Sequence, residues 1–375
     1  MLTLHPTRRF YPNVDWQSSS ANNIVLVESG KQYKVLTLTD CFEYDEKTYN
    51  YYGSYSFTGT KIEQAVVTAI LNVTTDDKVV VDMIKGNNEQ DYSSLKTLLE
   101  NNAYQVNEVS LATGDFDSNA KIAIMYAPSV DLDEKIVEKL STWLSNDGKY
   151  GRSLIYVPTA DMGEMPNLDD FLKEWGMSID RGYVFETDES TLVSASSPYA
   201  FTVSYGDYYK DNLKNSKIPV VVSESHAVNI TDENTAHALL KTSDKAGVLP
   251  IDADKNWDYK DAVSGNGENV AAEGVMTNED KNSSRVIIFG SYVMFSDTIM
   301  KYNSFNNSAY FMNVINTIAD KEDVGITIES KSIDNTELGI TDVATQNTML
   351  VVFVIIIPIA ILVAGFVFWL RRRNR

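Results

Sequence analysis

The sequence predicts an α/β protein with a doubly wound sheet, followed by one C-terminal transmembrane helix. Short β-branched runs alternate with amphipathic helical patterns over residues 62–176, which is the arrangement of successive βαβ units. Residues 349–370 then contain no charged side chain and lead directly into arginines. At 375 residues the chain is long enough for one or two domains with a hydrophobic core before this segment.

The α/β elements follow in order from residue 23. Short strands are predicted at 23–27 and 33–38, and apolar residues at helical spacing predict a helix at 62–73. The run at 78–84 is nearly all apolar and β-branched, as expected for a strand that is covered on both faces. The further elements of this region are strands at 104–111, 121–127 and 153–157 and helices at 95–102 and 168–175.

The helix that begins after residue 130 has the best-marked boundaries. Asp131 is suited to cap its first turn, with Glu134 three residues later completing a capping box. Gly148 marks its end. Its inward stripe comprises Ile136, Val137, Leu140, Trp143 and Leu144.

Beyond residue 180 the pattern is less regular. Residues 254–284 are polar, with Gly265 and Gly267 among them, and are predicted to form an exposed loop. Residues 325–348 are predicted to form a polar stalk with strand character. The other predicted elements are strands at 200–205, 218–223 and 285–292 and a helix at 309–319.

Composition excludes several classes of function. Asp and Glu total 52 against 32 Lys and Arg, and the formal net charge of −20 repels phosphate backbones, so nucleic acid is not an expected partner. The chain has one cysteine, Cys41, which excludes an internal disulfide and a four-cysteine zinc site. A lone cysteine more often serves as a small apolar side chain than as a nucleophile.

The sequence lacks the common catalytic and cofactor motifs. The sequence has no G-x-G-x-x-G, no phosphate-binding P-loop and no G-x-S-x-G elbow. The histidines are His5, His226 and His237, and their spacing matches no zinc-hydrolase motif. We therefore assign no catalytic residue, no metal ligand and no cofactor. Cys41 with a distant histidine stays open as a disfavoured nucleophilic pair.

Three local groups have both a functional and an ordinary interpretation. Asp252, Asp254 and Asn256 imitate a calcium loop but lack its glycine and its final glutamate, so a solvated acidic turn is favoured. Tyr205, Tyr208 and Tyr209 are suited either to stack on a sugar or to pack a strand edge on the core.

The third group is the loop Gly86-Asn87-Asn88-Glu89, which follows the strongest strand and precedes a helix. In open α/β sheets ligands bind at the carboxyl ends of the strands, and helix N-termini there offer N–H donors to anions. An ordinary turn with glycine for backbone freedom is the alternative.

The C-terminal segment predicts the topology. At about 1.5 Å per residue, 349–370 is long enough to cross a hydrocarbon core about 30 Å thick. The basic cluster after it is expected to remain cytoplasmic, which places residues 1–348 outside the cell. Residues 1–20 have no apolar signal segment, so we expect either a tail anchor or a missing N-terminal membrane signal, and favour the second. The predicted anchor residues are Pro358, Gly365, Trp369, Arg371, Arg372 and Arg373.

An ordered set of short segments resembles one family along nearly the whole chain. The segments are Asn23 to Glu28, Tyr33 to Val35 with Asp40, Glu63 to Ile70, Gly86 to Glu89, Leu98 to Tyr104, Ala127-Pro128 with Asp131-Leu132, Leu140 to Gly148, Pro166-Asn167-Leu168, Trp175-Gly176-Met177, Leu239 to Ser243, Val286 to Gly290, Asn313 to Ile318, Ile326 to Ser332 and Pro358 to Arg373. In these segments the sequence is similar to the extracytoplasmic part of GldG-like proteins, auxiliary components of a class of ABC transporters. Asn87 stands where the family usually has histidine, which leaves any imidazole role in doubt.

The resemblance implies a flavodoxin-like fold, similar to the class I glutamine amidotransferase layer but without its nucleophile. It also implies a non-catalytic subunit at the cell membrane whose partners are an ABC permease, its ATPase and membrane lipid. A surface ligand- or glycan-binding module and an ectoenzyme related to amidotransferases stay as alternatives. The implied domains are 1–60 as a remnant of an N-terminal extracytoplasmic region, 61–324 as the α/β domain, 325–348 as the stalk, 349–370 as the transmembrane helix and 371–375 as the cytoplasmic tail.

Overall fold

The computed structural model describes most of the chain. The described residues are 23–45, 48–49, 51, 53–194, 197–211, 213, 215–254, 257–263, 265–300, 304–321, 331–333, 350–359 and 369. The described residues divide into two units, the first drawn from residues 23–37 and 63–321 and the second from residues 38–62, 331–333, 350–359 and 369.

The elements are named here in chain order. The strands are β1 Val25–Ser29, β2 Gln32–Leu36, β3 Phe42–Tyr44, β4 Phe57–Thr60, β5 Val80–Ile84, β6 Gln105–Val109, β7 Ala120–Tyr126, β8 Ser153–Val157, β9 Met177–Ile179, β10 Tyr183–Phe185, β11 Leu192–Ser194, β12 Ser197–Tyr205, β13 Val220–Ser223, β14 Val228–Ile230, β15 Ala236–Lys241, β16 Gly247–Leu249, β17 Asn269–Thr277, β18 Ser283–Phe289 and β19 Lys331–Ser332. The helices are α1 Leu38–Cys41, α2 Ile62–Thr74, α3 Ser93–Asn101, α4 Glu134–Ser145, α5 Pro166–Glu174, α6 Asp297–Met300 and α7 Asn307–Ile318.

Five parallel strands form the half of the main sheet that positions the candidate site. Their order is β6-β5-β7-β8-β18, within a ten-stranded sheet. Numbered among themselves along the chain, these strands follow the order 2-1-3-4-5, which reverses direction between β5 and β7. The carboxyl ends of β5 and β7 therefore flank a topological switch point, the place where open α/β sheets bind ligands.

Alternate side chains of these strands enter two separate cores. Val81 and Met83 of β5 pack in a cluster with apolar residues of α3 and α7. Val80 and Ile84 pack in the other cluster, with residues of α4 and α5. Because both faces are covered, every residue of β5 and β8 is buried, and each large apolar side chain contributes about 1.5–3 kcal/mol through burial. The prediction of an α/β fold with a sheet covered on both faces is confirmed.

The antiparallel half of the sheet corrects the prediction of an exposed loop at 254–284. Within that range, β17 lies between β15 and β18 in the main sheet, and its residues 270–274 are buried. Alanines, a glycine and a buried glutamate gave this strand the composition of a loop. Gly274 is required because a Cβ there would lie 2.3 Å from the backbone oxygen of Trp175.

The prediction that Asp131 caps the helix after residue 130 is also wrong. Helix α4 begins at Glu134 with Asp133 as N-cap, and the Asp133 side chain makes no capping hydrogen bond. The Asp131 carboxylate instead accepts hydrogen bonds from the backbone N–H groups of Asn167 (3.0 Å) and Leu168 (3.2 Å). Asp131 therefore caps the next helix, α5, across a loop of the fold.

The second unit contains a small antiparallel sheet of β3, β4 and β19. Aromatic side chains on β3 and β4 pack together, with the ring centroids of Phe42 and Phe57 4.9 Å apart. Residues 331–333, which include strand β19, are the described part of the predicted stalk at 325–348, and its other residues lie outside the described chain.

The described part of the C-terminal segment is helical. Residues 350–359 form a helix that is π-helical over Val351–Ile356, and their apolar side chains are mostly exposed. Pro358 and Trp369 lie in helical residues, whereas Gly365 and Arg371 to Arg373 lie outside the described residues. Within the described residues, no helix combines the length and apolarity needed to cross a membrane.

Candidate functional site

The loops after β5 and β7 are joined at the switch point. The N–H of Ser129 donates to the carbonyl of Asn87 (3.1 Å), and the N–H of Gln90 donates to the carbonyl of Ala127 (3.2 Å). The Asn88 side-chain Nδ2 donates to Ser129 Oγ (2.6 Å). These bonds hold the predicted ligand loop against the loop that follows β7.

The Glu89 side chain occupies the N–H donors of its own loop. Its carboxylate accepts hydrogen bonds from the backbone N–H of Gly86 (3.0 Å) and from both the backbone N–H (2.9 Å) and the side-chain Nδ2 (3.2 Å) of Asn87. Gly86 has a φ of 114°, a conformation that favours glycine. The structure thus brings the four predicted residues into one turn, but donors that an anion would need are already bonded to Glu89.

Ala127 follows β7 in a backbone conformation that is unusual for alanine. Its φ is 46°, in the left-handed region, which costs an L-residue about 1–2 kcal/mol. Ala127 is fully buried, and its N–H donates to the carbonyl of Val157 at the end of β8 (2.6 Å). A strained residue at a sharp turn after a strand is where α/β-hydrolases place the nucleophile. Here the side chain is a methyl group, which supplies no nucleophile.

A cleft of about 700 Å³ opens beside this turn. One wall is α3, and the opposite wall is the segment that follows β18, including α6. The lining residues are Gln90, Asp91, Ser93, Ser94, Thr97, Leu98, Asn101, Tyr126, Tyr292, Phe295, Ser296, Asp297, Met300 and Ser308. The cleft therefore begins one residue after the predicted ligand loop and extends away from it along α3.

The polar groups of the cleft are engaged in local hydrogen bonds. The Asp91 carboxylate accepts from the Ser93 backbone N–H (3.1 Å) and hydroxyl (2.8 Å). Across the cleft, the Ser94 hydroxyl donates to Asp297 Oδ1 (3.3 Å). Both walls of the cleft are therefore lined by polar side chains, and several of these are already hydrogen-bonded to one another.

The floor of the cleft is aromatic. Tyr126 is buried, and its hydroxyl donates to the carbonyl of Tyr292 (2.9 Å). Burial raises the pKa of Tyr126 well above its ordinary range, so its hydroxyl stays protonated and serves as a donor. Phe295 packs against Tyr126 with ring centroids 6.3 Å apart. The floor is thus apolar, whereas the walls are polar.

The loop at the carboxyl edge of the sheet was predicted from the sequence, but the cleft was not. The wall on α3 lies close to the predicted loop, and Tyr126 lies within the strand predicted at 121–127 and is the last residue of β7. The second wall begins at Tyr292, after β18, which lies four strands away from β6 in the parallel order. Periodicity identifies a strand but does not identify its neighbours in the sheet, so this wall had no signal in the sequence.

Cys41 does not have the surroundings of an activated nucleophile. It ends α1 and is buried. Burial, with a smaller contribution from the charge of Asp40, raises the pKa of the Cys41 thiol. A raised pKa disfavours the thiolate, which is the reactive form.

The two described histidines are bonded elsewhere, and His5 lies outside the described residues. The His226 side chain is fully buried, with Nδ1 3.0 Å from the carbonyl of Gly182 and Nε2 2.9 Å from the carbonyl of Thr159. His237 Nε2 lies 3.0 Å from the carboxylate of the buried Glu273.

The predicted tyrosine group packs mainly on the core. The Tyr205 hydroxyl donates to the carbonyl of Ile218 (2.6 Å), and the Tyr209 hydroxyl donates to Glu273 (2.6 Å). Tyr208 is 48% exposed and lies against His237, with ring centroids 3.6 Å apart. The three rings thus do not form one stacking platform.

Glu273 is the centre of a buried ionic cluster. Arg285 lies 3.0 Å from its carboxylate. Burial by itself raises the pKa of Glu273, but the close contact with His237, the charge of Arg285 and the hydrogen bond from Tyr209 outweigh it, so the pKa is lowered. The cluster explains how β17 carries a carboxylate through the centre of the sheet. In the part of the chain that the structure describes, no group of three or more His, Cys, Asp or Glu residues is arranged to hold a metal ion.

No protein-family model and no curated protein matches the chain. Several solved structures are similar in arrangement. They include the "mmIFT52 N-terminal domain" (14% identity, 66% of this chain and 100% of that chain, TM-score 0.48), PurLQS from Thermotoga maritima (12%, 64% and 100%, TM-score 0.33) and a glutamine amidotransferase from Thermotoga maritima (7%, 65% and 100%, TM-score 0.38). At these identities and TM-scores, the similarity carries no information about activity.

Proposed function

We propose that this protein is a non-catalytic, membrane-anchored auxiliary subunit of an ABC transport system. Its α/β domain, of the flavodoxin-like and glutamine amidotransferase-like type, would lie outside the cell and bind a partner or substrate at the carboxyl edge of the sheet. The segment at 349–370 would cross the membrane once, leaving residues 371–375 in the cytoplasm beside an ABC permease and its ATPase.

The observation that carries the proposal is the chemistry at the switch point. The turn after β7 has the strained backbone of a nucleophile elbow, but Ala127 contributes only a methyl group. The neighbouring N–H groups of Gly86 and Asn87 are held by Glu89. The backbone at this turn thus resembles that of an acyl-transfer enzyme, but its side chains supply no reactive group. A cleft suited to binding lies beside it.

The tail supports the membrane part of the proposal. The described residues 350–359 expose apolar side chains, and Phe353 and Val354 are each 64% exposed. Such a surface is costly in water, at about 25 cal/mol per Å² of apolar area, and favourable in lipid. The uncharged run and the arginines that follow it in the sequence fit a membrane helix with a cytoplasmic stop.

Co-purification tests the proposal. The full chain, extracted in mild detergent from its own cells, should bring down a polytopic permease and an ATPase in fixed ratio. A chain truncated after residue 348 should lose both partners and leave the membrane fraction. Recovery of the full chain alone, as a stable monomer, would count against the proposal.

A surface ligand-binding module is the second candidate, and the cleft is the observation that favours it. This function requires no transporter partner, so the full chain would bind its ligand with equal affinity before and after removal of co-purifying proteins. An ectoenzyme has less support, since Cys41 has a raised pKa and the ring nitrogens of His226 lie against backbone carbonyls.

A further inference from the structure

We propose that the cleft between α3 and the segment after β18 binds a neutral carbohydrate of two or three linked rings. The inference rests on the proposed function and names the class of ligand that the extracytoplasmic domain would take. It follows from the charge, the hydrogen-bonding groups and the shape of the cleft.

The charge of the cleft excludes anionic ligands. The residues that line it include two carboxylates, Asp91 and Asp297, and among the described lining residues none is Lys, Arg or His. The chain as a whole carries a formal net charge of −20. A phosphate or a carboxylate would therefore meet repulsion both from the walls and from the field of the protein.

Local bonding of the carboxylates favours a neutral ligand over a cation. Asp91 accepts two hydrogen bonds from Ser93, and Asp297 accepts one from the Ser94 hydroxyl on the opposite wall. An amine would have to displace these bonds to form its ion pair. A hydroxyl ligand instead can join such a network, because it donates to carboxylates and accepts from serine and amide donors.

The walls supply groups of the kind that sugar hydroxyls require. Hydroxyl and carboxamide side chains each both donate and accept, which matches the vicinal hydroxyls of a pyranose ring. Five serine and threonine hydroxyls and two carboxamides line the cleft, from Ser93, Ser94, Thr97, Ser296, Ser308, Gln90 and Asn101.

The apolar floor and the dimensions fit a short oligosaccharide. Tyr292, at the edge of the floor, is half-buried and offers an aromatic face to the C–H face of a sugar ring. The cleft face of α3 from Ser93 to Asn101 is about 12 Å long, which suits two or three linked rings. The volume of about 700 Å³ lies in the usual range for a small-molecule site.

Calorimetric titration of the full chain in detergent tests the inference. The probes are maltotriose, cellotriose and triacetylchitotriose as neutral trisaccharides, with trigalacturonate as the anionic probe and spermidine as the cationic probe. We expect one or more neutral trisaccharides to bind and the two charged probes not to bind. Absence of binding by all three neutral trisaccharides, or tighter binding of a charged probe, would overturn the inference.

A matched pair of variants locates the binding. Thr97→Trp fills the cleft from an exposed position of α3, and Thr113→Trp adds the same ring to an exposed turn after β6 that does not line the cleft. We expect affinity to fall at least tenfold in Thr97→Trp and to be unchanged in Thr113→Trp, with thermal midpoints confirming that both are folded. Equal binding by the two variants would place the sugar elsewhere and overturn the inference.

Two further measurements are needed. The first distinguishes failure of the carbohydrate inference from failure of the proposed function, and the second distinguishes a surface glycan from a free oligosaccharide as the ligand. Co-purification of permease and ATPase with a chain that binds no trisaccharide would refute the carbohydrate inference and leave the proposed function standing. If the chain binds a trisaccharide but brings down neither permease nor ATPase, the proposed function is refuted and the carbohydrate inference stands. Sedimentation with the insoluble polymer that matches the bound trisaccharide then distinguishes a surface glycan from a free oligosaccharide, and both results support the inference.

Discussion

Asp131 and Asn167 bond to each other's segments in both directions. The Asp131 carboxylate accepts from the backbone N–H of Asn167 (3.0 Å), and the Asn167 side-chain Nδ2 donates to the carbonyl of Leu132 (2.8 Å). The segments Asp131-Leu132 and Pro166-Asn167-Leu168 thus meet in space. Their physical role is to fix the start of α5 to the loop after β7.

Replacing Asp131 should destabilise the fold through the first turn of α5. Asp131→Ala removes the acceptor for two helix N–H groups, and the loss of a capping side chain typically costs about 1–2 kcal/mol. Asp131→Asn keeps one acceptor oxygen and should recover part of this loss. Urea unfolding, followed by tryptophan fluorescence, measures both changes.

Asp133→Ala is the matched control for this prediction. Asp133 is the N-cap of α4, but its side chain makes no capping bond, so its removal should cost less than about 0.5 kcal/mol. A larger loss for Asp133→Ala than for Asp131→Ala would contradict the assignment of the cap.

The parallel strands were predictable from the sequence because burial on both faces requires apolar, β-branched runs. Strand β17 was not, since Ala271, Ala272 and Gly274 are small and Glu273 is charged. Their presence in a central strand is understandable only through partners elsewhere in the chain. Gly274 admits the backbone of Trp175, and Arg285 and Tyr209 both bond Oε1 of the Glu273 carboxylate.

The candidate site likewise has one part that was predictable from the sequence and one part that was not. The position of the loop Gly86-Asn87-Asn88-Glu89 after the strongest strand was enough to place it at the ligand edge. The role of Glu89 was in principle readable, because an acid two or three residues after a glycine turn can accept from its N–H groups. The cleft was beyond reach, since Ser94 and Asp297 are 203 residues apart in sequence.

Removing Glu89 should open the N–H groups of its loop to anions. Glu89→Ala leaves the Gly86 and Asn87 donors without their acceptor, and because Gly86 is exposed and water can replace the acceptor there, the variant should lose about 0.5–1.5 kcal/mol of stability. Phosphate should then raise the thermal midpoint of the variant more than that of the wild type, relative to chloride at equal ionic strength. Differential scanning calorimetry measures both effects.

A second glutamate variant tests whether the phosphate response arises from the freed N–H groups or only from the loss of one negative charge. Glu138→Ala removes the same charge from an exposed position of α4 and should show the phosphate response of the wild type. An identical response in Glu138→Ala and Glu89→Ala would mean that net charge, rather than the freed N–H groups, attracts the anion.

Asp82 should make the fold less stable as the pH rises above the ordinary pKa of aspartate. The side chain is fully buried in β5, accepts from the Asp117 N–H (2.8 Å) and lies 3.4 Å from Asn107 Nδ2. Burial raises its pKa, the two hydrogen bonds oppose the rise, and the charge of Asp117 adds to it. Between the ordinary and the raised pKa the folded state binds more protons than the unfolded state, so stability falls with rising pH.

The variant Asp82→Asn isolates this effect. It should be more stable than the wild type at pH 7 and should lack the decline across that window, because its amide carries no charge to bury. Asp117→Asn should make the decline smaller without removing it. Chemical denaturation from pH 4 to pH 7 measures the slopes, and parallel slopes for wild type and Asp82→Asn would contradict the prediction.

Lys321 should give the opposite pH dependence at the alkaline end. Its Nζ donates to the carbonyl of Asn102 (2.6 Å) and lies 4.1 Å from the ring centroid of Tyr104. Burial, with the charge of Lys78 in addition, lowers the pKa of Lys321 to about 8. As the pH rises from about 8 towards the ordinary lysine pKa, the folded state loses its proton before the unfolded state does, so stability rises.

Comparison with Lys321→Met separates this contribution from other groups that titrate at high pH. The methionine keeps most of the apolar stem but has no proton to lose, so the stability difference between wild type and variant should shift in favour of the wild type between pH 8 and pH 10. Well below pH 8 the difference should be constant, because Lys321 is then charged in both states. A difference that stays constant up to pH 10 would show that Lys321 retains an ordinary pKa in the folded protein, and that the ring of Tyr104 and the carbonyl of Asn102 compensate its burial.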